Sequence, residues 1–371
     1  MKKRLTYIIS DIDKALAFEW MATALSGDKY QQDYLLLNPG DSALEQFLKK
    51  HGIPVQRIRC TGKKDWLYAL WRIFRHLKQA KPDIVHCHLQ QANIIGLTAA
   101  KIAGVKKRIY TRHHSDYHHR YYPKGVWLDR YCNTLATHII APSEVVKEVL
   151  CEREQVPARK VSVIPHGFDM DYFRQTDKIS VDALREKYQL NDHWPVIGVI
   201  SRFTELKGIQ YIIPAFQKIL QSYPGALLML LNARGDYEAQ IHRQLNLLPP
   251  ESYRTIPFEQ DLSAAYRLFD VFVQVSTERM IESFGQTYVE ALAAGTPAVF
   301  TLAGIAGEFI VHEQNALVVP FRDTDAIYHA VTRIINDESL RNRLKEEGWH
   351  AVSERFSFKK MADELERVYA S

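Results

Sequence analysis

Residues 196–232, VIGVISRFTELKGIQYIIPAFQKILQSYPGALLMLLN, read as strand, loop, amphipathic helix and strand. The flanking runs are too short for helices and almost wholly apolar, as strands buried on both faces are. Two parallel strands joined by a helix make a βαβ unit. The same rhythm extends outward. Toward the N-terminus the candidate strands are LTYIIS, DYLLLN, PVQRIR, DIVHCHL, KRIYTRH, HIIAPS and VSVIPHG, and toward the C-terminus RTIPF, VFVQVS, PAVFTL and ALVVPF, with helical patterns between. This predicts an α/β fold of two Rossmann-like, doubly wound parallel-sheet halves. A chain of 371 residues is too long for one ordinary core, which agrees with two domains. Neither half has GxGxxG or a Walker A sequence, which disfavours simple dinucleotide or ATP binding at a glycine fingerprint. Open parallel sheets bind ligands at the carboxyl ends of their strands, so two facing halves predict a cleft.

With 46% hydrophobic and 25% charged residues, the composition is that of an ordinary globular chain. No apolar run approaches the roughly 20 residues that cross a bilayer. Asp11 and Asp13 end the first apolar run after Ser10, so MKKRLTYIIS reads as a buried strand of a cytoplasmic protein rather than a signal peptide. Cys60, Cys87, Cys132 and Cys151 are widely spaced without a CxxC pair, which indicates neither a disulfide framework nor a zinc site. The net charge of +5 is uneven. Residues 1–170 hold 27 Lys and Arg against 16 Asp and Glu, and residues 171–371 hold 21 against 27. The basic half suggests an anionic partner for the first domain.

Residues 282–290, ESFGQTYVE, carry the densest chemistry. The carboxylate of Glu290 can accept both hydrogens of a cis-diol such as a ribose. Glu282 precedes a helix start across a glycine that admits a ligand to the backbone. The free N–H groups of the first turn, from Phe284 through Gly285 and Gln286 to Thr287, form an anion site between the acids. Upstream, Arg202 and Lys207 stand five residues apart in a strand-to-helix loop, two cations suited to one diphosphate. Cations and a helix N-terminus together stabilise negative charge on a bound phosphate.

The Glu282…Glu290 segment with its trailing EALAAGTPAVF, and the SRFTELKG loop, together resemble the retaining glycosyltransferases of family 4, which have the GT-B fold. APSEVVKEVL and VSVIPHGFDMDYF resemble further family segments, with His166 where Asn is usual. The resemblance implies domains at 1–172, joined by a C-terminal helix 356–371, and at 195–355, with 173–194 as linker. It implies a nucleoside-diphosphate sugar donor, no metal or other cofactor, and no nucleic acid. Glu282 would bind the sugar hydroxyls, Glu290 the ribose, and Arg202 with Lys207 the diphosphate. AGIAGEF resembles the family's Gly-Gly…Glu loop with its paired glycines broken up, and Glu308 matches the acid. Thr111-Arg112-His113 resembles a Thr-x-His at a strand end beside the donor sugar, with His114 as the rival to His113. A glycine loop that many members carry after the first strand is replaced by DIDKALAFEW, so acceptor placement does not transfer.

His113, His114, His118 and His119 could suggest a metal, but no carboxylate or Cys is arranged in the sequence to complete a set, and the pairs Asp11/Asp13 and Asp169/Asp171 belong to no metal motif of this fold. KKDWLYALWRIFRHLK is an amphipathic helix with Leu67, Leu70, Trp71, Phe74 and Leu77 on one face and Lys63, Lys64, Arg72, Arg75 and Lys78 around it. Packing on the sheet explains most of that pattern and leaves Trp66, Lys63 and Lys64 over, which suit an anionic bilayer. The expected acceptor is a glycan or a lipid-linked intermediate, with the protein peripheral on the inner face of the cytoplasmic membrane. Two rivals are a nucleotide-sugar 2-epimerase of the same fold and a non-catalytic partner subunit.

Overall fold

The computed structural model describes every residue except Met1, Ala15, Ser26 and Asp28. Ala15, within the DIDKALAFEW segment, therefore lies outside the described residues. The chain divides into two compact units, residues 1–168 with 358–371, and residues 169–357.

The first unit holds strands β1 (Lys3–Ser10), β2 (Tyr30–Asn38), β3 (Val55–Arg59), β4 (Ile84–His88), β5 (Lys107–Thr111), β6 (His138–Ala141) and β7 (Val161–Val163). They form one sheet in the order β3-β2-β1-β4-β5-β6-β7, every pair parallel. Its order reverses between β1 and β4, which places the switch point beside Ser10 and His88. Successive side chains of each strand feed two cores. One face packs on the helices Trp66–Ala80, Gln90–Ala103 and Pro123–Leu135 through residues such as Ile73, Leu97 and Cys132. The other packs on Leu16–Ala24, Ala43–Lys50 and Phe358–Ala370 through Met21, Leu44 and Leu365. The last helix is fastened where Tyr369 Oη meets Tyr7 Oη at 3.0 Å and His86 Nδ1 at 2.6 Å. Burying Met361, Leu365 and Val368 contributes about 1.5–3 kcal/mol each relative to exposure.

The second unit holds β8 (Val196–Ile200), β9 (Leu227–Leu231), β10 (Tyr253–Ile256), β11 (Val271–Gln274), β12 (Ala298–Phe300) and β13 (Leu317–Val318). Their order is β10-β9-β8-β11-β12-β13, again all parallel, with the reversal between β8 and β11. Thirteen apolar runs read from the sequence thus became thirteen parallel strands in two Rossmann-like sheets. The expected linker at 173–194 differs. Asp169 caps a helix Met170–Arg174, Asp177 caps a second helix Lys178–Lys187, and both group with the second unit. Phe173 and Leu184 supply the apolar anchors that a free linker would lack.

The helix Trp66–Ala80 also corrects its sequence reading. Ala69, Ile73 and Leu77 face the core, Leu70 and Phe74 are half-buried, and Leu67 and Trp71 stand in solvent. Trp66, expected outside, packs against the core instead. Among the described residues no helix is long and apolar enough to cross a membrane.

Candidate functional site

The loops after β8 and β11 leave the second sheet at its switch point, the first carrying cations and the second Glu282. After β8 a short 3-10 turn, Glu205–Lys207, aims Lys207 back over the sheet end. After β11, Ser276 begins the loop that carries Glu282. Lys207 Nζ donates to Glu282 Oε1 at 2.5 Å, and the same oxygen accepts from Ser276 Oγ at 2.7 Å and Gln274 Nε2 at 3.4 Å. Thr277 N–H, donating to Leu206 O at 3.0 Å, ties the two loops together. Glu282 is buried. Burial by itself disfavours its charge, but Lys207 and Ser276 outweigh that and hold the carboxyl below its usual range. Arg202 also acts electrostatically on Glu282, with its own side chain in solvent. Residues read separately as sugar and diphosphate ligands are therefore brought together.

Gly304 makes that loop geometry possible. Its φ is +57°, and a Cβ there would sit 2.6 Å from Phe284 O and 2.7 Å from Glu282 Cβ. Its N–H donates to Arg279 O at 3.0 Å, and that of Ile305 to Phe284 O at 2.9 Å, so the 302–305 turn grips the Glu282 segment. The loss of the paired glycines noted in AGIAGEF leaves this contact intact. Glu308, further along, lies 3.5 Å from Arg355 Nη2.

Gly285 caps the helix Gln286–Ala293 with φ +90°, where a Cβ would strike the Tyr288 ring at 2.4 Å. Among the described residues no side chain caps the helix, which leaves the N–H groups of Gln286 and Thr287 at an electropositive helix end. Phe284 itself is core, edge-on to Phe356 at 5.8 Å, so only its backbone faces the site. One turn down the helix, Glu290 Oε2 accepts from Tyr266 Oη at 2.8 Å. Burial pushes Glu290 up to about 7, a rise the Tyr266 hydroxyl only partly offsets. Sequence reasoning missed Tyr266, since nothing marks a tyrosine 24 residues upstream as the partner of Glu290.

In the first unit the switch point carries imidazoles instead. His88 ends β4 and places Nδ1 3.1 Å from His113 Nε2. His113 stacks on His166, ring centroids 5.7 Å apart and nearly parallel. Burial, then the neighbouring His166, push His113 down to about 3, so its ring is neutral. A cavity of about 210 Å³ opens beside it, lined by Asn93, Arg112, His113, His114, Asp129 and Cys132 among others. Asn93 Oδ1 and His114 Nδ1 are buried there without partners among the described residues, so the wall can hold a polar ligand.

A carboxylate does join the histidines, contrary to the sequence reading. Asp129 lies 2.7 Å from His118 Nδ1 and 3.3 Å from His114 Nε2, and the three could hold a metal ion. Arg112 Nη2 already donates to Asp129 at 2.9 Å and to Glu154 at 2.6 Å, so the geometry is accounted for by a buried charge network. The acidic pairs are local devices. Asp169 accepts from the N–H groups of Asp171 and Tyr172, and Asp13 from that of Ala43.

Residues 180–350 match the family described as Glycosyl transferases group 1, and residues 21–172 match Glycosyltransferase Family 4. The chain belongs to glycosyltransferase family 4. This family 4 chain is 28% identical, over 92% of its length and 90% of the relative's, to the capsular polysaccharide biosynthesis glycosyltransferase CapM of Staphylococcus aureus. It is 24% identical to the UDP-Gal:alpha-D-GlcNAc-diphosphoundecaprenol alpha-1,3-galactosyltransferase of Escherichia coli, over 81% of this chain and 78% of that one. Among solved structures, Anabaena Alr3699/HepE in complex with UDP-glucose superimposes with a TM-score of 0.84 at 21% identity, covering 98% of this chain and 99% of that one. The family 4 chain thus has the GT-B fold of two parallel-sheet Rossmann-like domains.

Proposed function

We propose that this glycosyltransferase moves a sugar from a nucleoside-diphosphate donor to a hydroxyl acceptor with its anomeric configuration kept. The Lys207–Glu282 pair beneath an uncapped helix N-terminus, at the switch point of the second sheet, is the observation that supports it. Lys207 and the exposed Arg202 would take the diphosphate, and its arrival frees Glu282 Oε1 to accept sugar hydroxyls. The N–H groups of Gln286 and Thr287 would meet the same charge as it grows on the leaving group. Glu290 would accept the ribose diol, and Glu308 would reach the sugar. His113, carried by the first unit, keeps the role implied by its motif, a hydrogen bond to the donor sugar. No carboxylate is read as a covalent nucleophile, so the leaving phosphate oxygen accepts the acceptor proton in a same-face displacement that needs no metal.

Capsule and diphosphoundecaprenol relatives support a cell-surface glycan or lipid-linked acceptor, handled at the inner face of the cytoplasmic membrane. The experiment is a thermal-shift screen of UDP-, GDP- and ADP-sugars, followed by NMR of the product anomer. One donor should raise the melting temperature and yield a product of unchanged configuration. An inverted product overturns retention, and an epimer formed from donor alone transfers the reading to an epimerase.

A further inference from the structure

The two faces of the first sheet carry different charge. Helices Leu16–Ala24, Ala43–Lys50 and Phe358–Ala370 mix signs, with Glu19, Glu45, Asp363, Glu364 and Glu366 among their cations. There Lys29 pairs with Glu366 at 2.6 Å and Lys49 with Glu45 at 2.5 Å. Helices Trp66–Ala80, Gln90–Ala103 and Pro123–Leu135 cover the other face and share one core, so their outer sides point the same way. Their sequences contain a single acid, Asp129, and it is buried. Their cations Arg72, Arg75, Lys78, Lys101, Lys124 and Arg130 make no ion pair among the described residues.

The same outer face shows large apolar side chains. Leu67 is 81% exposed, Trp71 51%, Ile102 59%, Trp127 73% and Tyr131 41%. The cations lie over these rings, Arg75 at 5.5 Å from the Trp71 centroid and Arg130 at 6.0 Å from that of Trp127. Tyr131 Oη and Thr98 Oγ1, 2.9 Å apart, join two of the helices at the surface. Three helices that carry cations and no exposed acid, interleaved with exposed Trp and Leu, are costly in water alone and complementary to an anionic lipid surface. Three adjacent helices of 13 to 15 residues span an area of about 20 by 30 Å.

We infer that this three-helix face seats the protein on an anionic bilayer, with Leu67, Trp71 and Trp127 entering the interface and the six cations meeting lipid phosphates. The inference deepens the reading of a membrane-borne acceptor and rests on it only for its purpose. Its physical basis is the face alone.

Flotation of the purified chain with vesicles tests it. Vesicles of phosphatidylcholine with about 30% phosphatidylglycerol should carry the protein at low salt, and phosphatidylcholine alone should not. Paired Arg75→Glu and Arg130→Glu substitutions should lower binding at least about tenfold, and the opposite-face control Lys50→Glu with Lys359→Glu should not. A blue shift of tryptophan emission on anionic vesicles, lost in Trp71→Phe with Trp127→Phe, reports insertion and does not depend on the charge variants folding well. Equal binding to both vesicle types, no binding, or equal loss in the control pair overturns the inference. So does self-association without lipid that Trp127→Ala abolishes, since it assigns the face to a second copy. Donor-induced thermal shifts measured without lipid separate the two readings: vesicle binding without any donor shift overturns the transferase reading and leaves this one standing.

Discussion

The two units present different chemistry at equivalent points of the same topology. Where β8 and β11 diverge, a buried carboxylate is kept ionised by Lys207 and Ser276. Where β1 and β4 diverge, buried histidines are kept neutral by burial itself, His86 and His113 near 3 and His166 near 4, while Arg112 beside them is paired with Asp129 and Glu154. Burial penalises charge in both places. Glu282 meets the penalty with a partner, and the histidines give up the charge. On the proposed function the second site receives a diphosphate and so needs cations, whereas a neutral imidazole would hold a hydrogen bond to a sugar without attracting phosphate.

The sharpest way to break this contrast is Lys207→Ala. It leaves Glu282 buried without its cation, which costs about 2 kcal/mol of stability given the partial exposure of Lys207. It also removes a charge that grows in importance as the nucleotide departs, so turnover should fall about 10²- to 10³-fold. The carboxyl of Glu282 is depressed in the folded state, so its contribution is present above the unfolded value and lost as pH falls through the folded one. Wild-type stability should therefore decline on acidification below pH about 4.5, and part of that decline should vanish in the variant. Transfer assays and urea melts at two pH values check both. Unchanged turnover would remove Lys207 from the site.

Glu290 sharpens the contrast from inside the second unit, because it resembles the histidines in having no cation. Burial raises it to about 7, so the folded state holds a proton that the unfolded state has released. Stability from this group is full below the unfolded value near 4.5 and is lost as pH rises through 7. Glu290→Gln should therefore melt above wild type at pH 8 and close to it at pH 5. A ribose diol binds better to the carboxylate than to the acid, so wild-type donor affinity should rise between pH 6 and 8. The variant should bind about tenfold more weakly at pH 8 and show no such slope. A flat wild-type profile would separate Glu290 from the diol.

How much of this was legible differed by scale. The central strands were legible because a strand buried on both faces, such as Val196–Ile200 or Leu227–Leu231, has no polar positions to blur it. The Glu282, Lys207 and Gly285 positions were legible because short spacings fix a loop and a helix start. Contacts between elements distant in sequence were not. Tyr266 on Glu290, Asp129 between two histidines, and Gly304 over Phe284 depend on which strands become neighbours. The helix Trp66–Ala80 was legible in part: Leu70, Phe74 and Leu77 pack on the core as its stripe implies, joined by Ala69 and Ile73, whereas Leu67 and Trp71 on the same stripe stand in solvent.

His113→Gln has the smallest expected effect and bears on the other half of the comparison. Glutamine keeps a neutral donor and acceptor, so turnover should fall only about fivefold to tenfold, and donor-induced thermal shifts should stay near wild type. The pH behaviour is more telling. A histidine held near 3 stays uncharged across pH 5–8, so no ionisation of His113 should shape the activity profile in that window. Its folded value lies below the unfolded one, so its contribution to stability is present above about 6.5 and is lost as pH falls toward 3. Melting temperature should decline steadily below pH 6.5 as the unfolded state takes up protons that the buried rings refuse. His113→Gln should make that decline shallower, since the variant has one fewer group to protonate on unfolding. If the decline is as steep as in wild type, or if an NMR titration finds His113 protonating near 6.5, the buried imidazoles are not held neutral, and the contrast between the two switch points fails.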